Sequence, residues 1–491
     1  MTQVRERFAQ VFTRSSQRVA NVLGIVATQD LANAKVKKFR NDMLEVYDAY
    51  YENRQYAGLC TWEIPVDSEY IPVRKRQPLL QLSLGKTLCT RIVSKLMGHN
   101  TFPTLKVEDD PDTEMFIKTI VQTTKLESRL LEPMRRLFAS GSVLVRFSVI
   151  NGFYKVEHFL SKYCYPEFDV LGNLQSVMIR YVYEDFSELD QKGAPKQKWF
   201  RMDLGPIKDV LFDNPPYDPM VEPVFTEKSV AEHNLGFVQA EWFRTYENRH
   251  SPDGPSLIAD AMPFIDDLNY SLSQSSQAIA YNQDPQLTIK GLDEDELDKL
   301  VKSSMKAWNL GKEGEAGFIE AGMTGVKAAM ENRDKMKVLL QDIVRVTLLD
   351  PEKMSATAQS GKAMEVLHGP MVEFICEMRP LLEEKLVSLV TKMALATLML
   401  NKQGVQTQIA IPPGYEPQSL NVTVLWPEVF QKTIEDLQKK VSIASTVSSA
   451  NLISRETMLK WIAKDFDVEN IEEEVAKIAA QPVFNPFGGG F

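Results

Sequence analysis

The sequence predicts an α+β chain whose β-rich middle third is bracketed by helices. Three observations predict it. GSVLVRFSV (141–149) and the stretches after it alternate apolar and polar residues, the period of a half-buried strand. Helical spacing of apolar residues is read on both sides of that region. Two of the later helical stretches enclose a compact insert with a glycine-rich return.

Residues 1–57 read as helical. KVKKFRNDMLEVYDAYYENRQY places Val36, Phe39, Met43, Val46, Tyr47 and Tyr50 on one face. The basic cluster Lys35, Lys37, Lys38 and Arg40 reads as a solvated face, with contact to a nucleic acid or partner as the alternative. Residues 79–97 and 112–140 read as helices. GSVLVRFSV then turns at Asn151-Gly152, a pair suited to a hairpin. SVMIRYVYED (176–185), QKWFRMDL (197–204) and GFVQAEWFR (236–244) continue an antiparallel pattern between turns such as DNPPYDP (213–219).

The texture changes at residue 252. PDGPSLIADAMPFIDDLNYSLSQSSQAIAYNQDP (252–285) carries Leu257, Ile258, Met262, Ile265, Leu268, Leu272 and Ile279 at helical spacing. Its other face is Ser, Gln and Asn with little charge, unlike an ordinary solvated helix. Such a face suits packing against copies of the chain, lining a channel, or the interior of a large domain. The insert follows: QLTIKG (286–291) is strand-like, DEDELDKLVKSSMKAW (293–308) helical and NLGKEGEAGFIEA (309–321) the return. A second helix runs from about Val326 to Leu349, and Asp350-Pro351 caps a short turn. Residues 361–400 read as one or two helices that Pro380 bends or breaks. LVSLVTKMALATLML (386–400) is short and holds Lys392, so it reads as a buried helix and not a membrane span. LNVTVLW (420–426) is a strand, TIEDLQKKVSIAS (433–445) a helix with Phe430, Ile434, Leu437 and Val441 on one face, and further helices start near Ser454 and at NIEEEVAKIA (470–479).

The whole chain has 491 residues, 44% of them apolar, enough for roughly two to four domains. With 56 basic and 66 acidic residues its formal charge is −10, which argues against a surface that grips a nucleic acid backbone throughout. Cys60, Cys89, Cys164 and Cys376 are far apart and form no CxxC pair, so neither zinc nor a disulfide framework is expected and a reducing compartment is. Arg5, Glu6 and Arg7 come early and no apolar run follows, which reads as no secretory leader.

SATAQSGKAMEVLHGPM (355–371) holds a Gly-Lys pair ahead of an apolar-periodic helix. A phosphate loop needs glycine five residues before its Gly-Lys, then Ser or Thr, after a strand. Here Ala356 precedes Gly361-Lys362 and Ala363 follows. In LLQLSLGKT (79–87), Leu80 stands where the first glycine belongs. Neither wraps a phosphate, and the first reads as a hinge before a helix whose apolar face is Met364, Leu367, Met371 and Phe374. His99, His158, His233, His250 and His368 are isolated; Asp109, Asp110 and Asp112 read as a helix cap, and the acidic run 293–298 as a favourable helix start. No catalytic constellation stands out, so the chain is not expected to be an enzyme and needs no cofactor or metal.

Several stretches, in order, resemble the portal protein of tailed double-stranded-DNA bacteriophages. They are HNLGFV (233–238), PSLIADAMPFIDDLNYSLSQSSQAIAYNQDPQLTIKG (255–291), SATAQSGKAMEVLHGPM (355–371) and LNVTVLWPEVFQKTIEDLQKKVSIASTVSSANLISRETMLKWI (420–462). The resemblance covers most of 30–480 and is loose over 141–232. It implies a portal fold assembled as a dodecameric ring at a unique capsid vertex. It also implies N-terminal helices and a β-rich wing (1–255), a first stem helix (256–283), a small α/β clip (284–322) and a second stem helix (323–347). A tunnel loop (348–360), C-terminal wing and crown helices (361–480) and a flexible tail (481–491) complete it.

The implied role is a channel for double-stranded DNA in packaging and ejection, in the virion and, during assembly, the host cytoplasm. Implied partners are other copies, the terminase large subunit, an adaptor or neck protein, and the major capsid and scaffold proteins, with no membrane. Candidate channel residues are Lys327, Arg333, Lys335 and Lys337. Glu331 and Asp334 beside them favour ion pairs within or between subunits for most, with one basic residue per subunit left for DNA. Candidate tunnel-loop residues are Lys353, Met354, Ser355, Thr357 and Gln359; candidate clip docking residues are Lys290, Asp293, Glu294, Trp308, Lys312 and Glu313. The alternatives are another ring-forming virion component, such as an adaptor or baseplate protein, and a metal-dependent nuclease using Asp109, Asp110 and Glu127.

Overall fold

The computed structural model describes residues 29–56, 78, 80–97, 102–107, 110–189, 193–248, 251–283, 286–290, 315–319, 324–348, 368–411, 421–429, 434–449 and 455–463. Helix α1 (Gln29–Tyr51) carries its tyrosines into the core, where Tyr50 and Tyr51 are buried. Arg40 is no solvated cation. Its guanidinium pairs with Asp253 at 2.5 Å and donates to the carbonyls of Ser161 and Cys164, tying α1 to the β region.

Helix α2 (Leu84–Leu96) takes the second Gly-Lys pair into its first turn. A Cβ at Gly85 would stand 2.8 Å from the Tyr50 carbonyl, so this glycine serves helix–helix approach. Strand β1 (Thr104–Val107) follows, then α3 (Pro111–Thr124) and α4 (Leu126–Ser140). The expected 112–140 helix is thus two helices, split where Lys125 adopts φ 52°. Asp110 caps α3 through Thr113, as the reading of Asp109, Asp110 and Asp112 as a helix cap expects.

The β region is antiparallel throughout. β2 (Ser142–Ile150) and β3 (Phe153–Leu160) form a hairpin whose two turn residues, Asn151 and Gly152, have φ 51° and 82°. Both positive values match a type I′ turn. β4 (Cys164–Phe168), β5 (Leu174–Leu189), β6 (Pro195–Leu204), β7 (Lys208–Phe212) and β8 (Glu227–Glu232) make one sheet in sequence order. β9 (Ala240–Arg244) joins the hairpin in the order β3-β2-β9. The two sheets share a core of Leu144, Val238 and Trp242 against Cys164, Val177, Ile179 and Leu204.

Helix α5 (Leu257–Gln283) starts later than residue 252, because Ser256 Oγ accepts the N–H groups of Ile258 and Ala259. β10 (Gln286–Lys290) pairs antiparallel with β11 (Glu315–Ile319), so residues 315–319 of the glycine-rich return are a strand. Helix α6 (Thr324–Val344) ends before Leu349 at Arg345, φ 52°. Helix α7 (Gly369–Lys402) runs through Pro380 unbroken. Pro380 lies on its exposed side while Ile375, Met378 and Leu382 anchor both turns in the core, so the lost helix bond is tolerated. Within 386–400, Leu386, Leu389, Val390, Met393, Ala394, Ala396 and Leu400 are buried while Met399 is exposed, and Lys392 donates to Glu241 at 2.6 Å. Among the described residues no helix is long and apolar enough to cross a membrane.

β12 (Val422–Leu425) pairs with β1 from the far end of the chain. α8 (Ile434–Ser449) and α9 (Arg455–Ala463) follow. The principal core gathers α2, α4, β2, the start of α5, the end of α6 and α7.

Candidate DNA-channel face

The long helices α5 and α6 pack against each other and carry the insert at their far ends. The root of the pair is fixed firmly. Leu340 and Val344 of α6 are buried with Ile258, Ala261 and Ile265 of α5 in the principal core. Just past α6, Val346 and Leu348 are buried, Arg91 donates to the Thr347 carbonyl at 2.8 Å, and Arg345 meets both oxygens of Glu377 at 3.1 Å. Glu377 also accepts from Tyr246 at 3.0 Å. The chain therefore leaves α6 toward residue 349 from a clamped position.

The uncharged polar face of α5 is partly interior. Asn269 is wholly buried and accepts the Leu82 N–H at 2.8 Å; Ser273 accepts that of Leu80 at 3.0 Å. These side chains pair the backbone of the segment before α2. One turn earlier Asp266 accepts the hydroxyls of Tyr50 and Tyr56 at 2.6 and 2.7 Å. Burial pushes its carboxyl above the ordinary carboxylate range, the two hydroxyls pull it back, and Asp267 beside it adds to the rise. Burial raises Asp267 as well. Neither serine nor asparagine burial was legible, because the partner segment lies far off in sequence.

The four candidate channel residues fall on two faces of α6. Lys327 and Lys335 are exposed, in a row with Glu331, Val338 and Asp342 at steps of three and four. Arg333 and Lys337 are half-exposed and share the side of Leu340 and Val344. Arg333 meets its neighbour Asp334 at 3.1 Å. The spacing Glu331–Lys335 makes no ion pair, and Lys327, Lys335 and Lys337 have none among the described residues. Next to the charged row Leu339 and Ile343 stand 49% and 46% exposed. No element of the described subunit covers them.

Of the candidate clip residues, Lys290 ends β10, and Asp293, Glu294, Trp308, Lys312 and Glu313 lie outside the described residues. So do the tunnel-loop candidates Lys353, Met354, Ser355, Thr357 and Gln359, the hinge Gly361-Lys362, the acidic run 293–298, the helix at 470–479 and the tail. Of the nuclease trio, Asp110 caps a helix and Glu127 accepts the Phe102 N–H; Asp109 is outside. Among the described residues no three His, Cys, Asp or Glu side chains gather to hold a metal ion.

A family model described as phage portal protein, SPP1 Gp6-like, matches residues 33–482, and the chain belongs to that family. It is a structural portal protein of the virion, a ring-forming subunit of the head-to-tail connector through which DNA passes. A search of curated proteins finds no match. Among solved structures, the neck of an empty GTA particle computed with C6 symmetry is similar. The likeness is at 11% identity over 80% of this chain and 90% of that one, with a TM-score of 0.42.

Proposed function

We propose that the chain closes into a dodecameric ring at one capsid vertex. The stem is the α5–α6 pair and the clip is the insert 284–322. The wing combines residues 1–255 with the C-terminal helices, which also form a crown. The observation that carries the reading is the bare face of α6. A helix in such a ring has three sides, toward its own subunit, a neighbour and the lumen. Leu340 and Val344 supply the first, and Leu339 and Ile343 suit the second. The row of Lys327, Glu331, Lys335 and Asp342 suits the third. Alternating signs hold phosphates weakly, so DNA slides where a uniformly basic lumen would grip it.

The segment after Leu348, held at its start by Arg91 and Glu377, is the loop that touches DNA in this reading, through Lys353, Ser355, Thr357 and Gln359. The clip, with Lys290 at the end of β10 away from α5, is where the terminase large subunit docks during packaging in the host cytoplasm and an adaptor or neck protein afterwards. Scaffold and major capsid proteins meet the wing. Neither Gly-Lys pair completes a phosphate loop, and in this reading the motor ATPase is a separate protein. Particle mass by light scattering together with projection symmetry by electron microscopy tests the assembly. A ring near twelve subunits with an axial opening is expected, and a closed ring lacking an opening would contradict the conduit.

A further inference from the structure

The connection between β7 and β8 is a tied loop with a bare apolar tip. Asp213 and Thr226 close its base with two hydrogen bonds of 2.9 Å, and the Tyr217 N–H donates to the Gln197 carbonyl on β6 at 2.9 Å. The Phe225 ring centre lies 5.5 Å from the Arg180 guanidinium carbon and 5.4 Å from that of Arg201. The Tyr217 ring meets Trp199 edge-on at 5.4 Å. At the tip Asp218 accepts the Met220 N–H at 2.8 Å and fixes the turn. There Met220, Val221 and Val224 are 91%, 61% and 82% exposed. β8 continues this surface, exposed at every residue. Apolar side chains held out on a braced backbone mark a contact surface.

The surface is acidic. Residues 213–232 hold Asp213, Asp218, Glu222, Glu227 and Glu232 against Lys228 alone. Glu222, Glu227 and Glu232 are exposed and have no ion-pair partner among the described residues. The complement stands ahead of α1. Residues 1–28, outside the described residues, carry Arg5, Arg7, Arg14 and Arg18 against Glu6, so this segment is net basic in a chain of charge −10. Val4, Phe8, Val11 and Phe12 recur among the arginines at steps of three and four. The segment leads into α1, which passes the β4 edge of the five-stranded sheet. Arg40 donates to the Cys164 carbonyl at 2.8 Å and Asn41 to the Tyr165 hydroxyl at 2.6 Å. β8 is the opposite edge of that sheet, four strand spacings or roughly 19 Å away. Residues 1–28 reach about 40 Å as a helix and up to about 90 Å extended, enough to leave their own subunit.

We propose that the β7–β8 tip and β8 edge of one copy receive residues 4–18 of the adjacent copy. Phe8, Val11 and Phe12 cover Met220, Val221 and Val224, and Arg14 and Arg18 meet Glu222 and Glu227. The proposal rests on the ring reading. Giver and receiver belong to opposite edges of one sheet, so every copy gives at one edge and receives at the other. Such a contact runs head to tail and closes under rotational symmetry.

Val224→benzoylphenylalanine, in rings assembled from an equal mixture of isotopically light and heavy full-length chains, tests the contact. Irradiation is expected to join position 224 to residues 4–18, with about half of the adducts linking a light chain to a heavy one, as random mixing of neighbours requires. Adducts confined to single chains put the segment on its own subunit, and adducts elsewhere put another occupant on the tip; either result overturns the proposal, as does the lack of any adduct. Arg14→Glu with Arg18→Glu, and Glu222→Arg with Glu227→Arg, are each expected to raise the subunit concentration at half-assembly about tenfold or more, and their combination to recover it. Glu222 and Glu227 are exposed, so their exchange keeps the thermal melt of the unassembled subunit and separates assembly from folding. A combination no better than either pair also overturns the contact. A wild-type chain that forms no ring at any concentration overturns the ring reading first, whereas normal rings without adducts at residues 4–18 overturn this contact alone.

Discussion

At the scale of single residues, the joint between α1 and α5 is set by a half-buried carboxylate that has no cation partner among the described residues. Asp266 accepts two tyrosine hydroxyls, and burial lifts its pKa from the usual 3.8. A carboxyl raised in the folded state favours folding when protonated. That contribution is full below the ordinary carboxylate range and is lost as pH rises through the raised value. Asp266→Asn is therefore expected to keep one tyrosine hydroxyl on its remaining oxygen while its amide N–H donates to the other tyrosine oxygen, to match or exceed wild-type stability at pH 7, and to flatten the rise in melting temperature on mild acidification. Asp267 retains its own share, so the double Asn variant flattens it further. Asp266→Ala removes the acceptor and is expected to cost about 1–3 kcal/mol in urea melts. Gly85 gives a second case. Alanine gains up to about 1 kcal/mol of helix propensity, but overpacking against the Tyr50 carbonyl costs about 1–3 kcal/mol, so Gly85→Ala is expected to lower stability. Denaturant midpoints of the two proteins decide which term wins. The sequence showed Gly85 only as part of a failed phosphate motif, because a backbone approach from another helix leaves no mark on local spacing.

At the scale of elements, periodicity located what is locally determined. The Asn151-Gly152 hairpin, the strands at 176–185 and 197–204, and the long helices were legible because each pattern repeats within its own segment. β8, EKSVAE, was missed because every residue in it is exposed and nothing alternates. β1 was missed because its partner β12 lies more than 300 positions away. The helix break at Lys125 has neither glycine nor proline to announce it, and Pro380 failed to break α7 because the core grips the helix on both sides. Of the candidate site, the sequence showed one mixed-charge set on α6, and neither the separation of Lys327 and Lys335 from Arg333 and Lys337 nor which side the subunit itself consumes. That division predicts a contrast between adjacent leucines. Leu340→Ala removes a side chain with no exposure and is expected to cost about 2–5 kcal/mol of stability. Leu339→Ser with Ile343→Ser is expected to leave the monomer within about 0.5 kcal/mol while reducing assembly. Thermal melts and sedimentation of both proteins check the pair, and a folded double variant that still forms rings would remove the neighbour from this face.

At the scale of the whole molecule, a charge of −10 per chain has to coexist with a polyanion moving through the assembly. Repetition reconciles them, since each residue facing the lumen recurs once per subunit around the ring. One lysine per subunit makes a basic belt, and one glutamate a turn away makes an acidic one. In α6 the order is Lys327, Glu331, Lys335, Asp342, so with the row facing the lumen as proposed a phosphate would meet attraction and repulsion in succession with no deep well. Each phosphate held by a ring contributes about 0.9 to the slope of log affinity against log salt. Rings of the wild-type chain are therefore expected to bind linear duplex weakly and with a shallow slope. Glu331→Gln with Asp342→Asn leaves the belts of Lys327 and Lys335 unopposed, and is expected to steepen the slope, tighten binding at low salt and slow the release of packaged DNA. Lys327→Glu with Lys335→Glu should flatten the slope toward zero while rings still assemble. Both variants keep Leu339 and Ile343, so a change in ring formation would mean that the charged row faces a neighbouring subunit. Intact rings with unchanged salt slopes in both variants would take DNA off this face of α6.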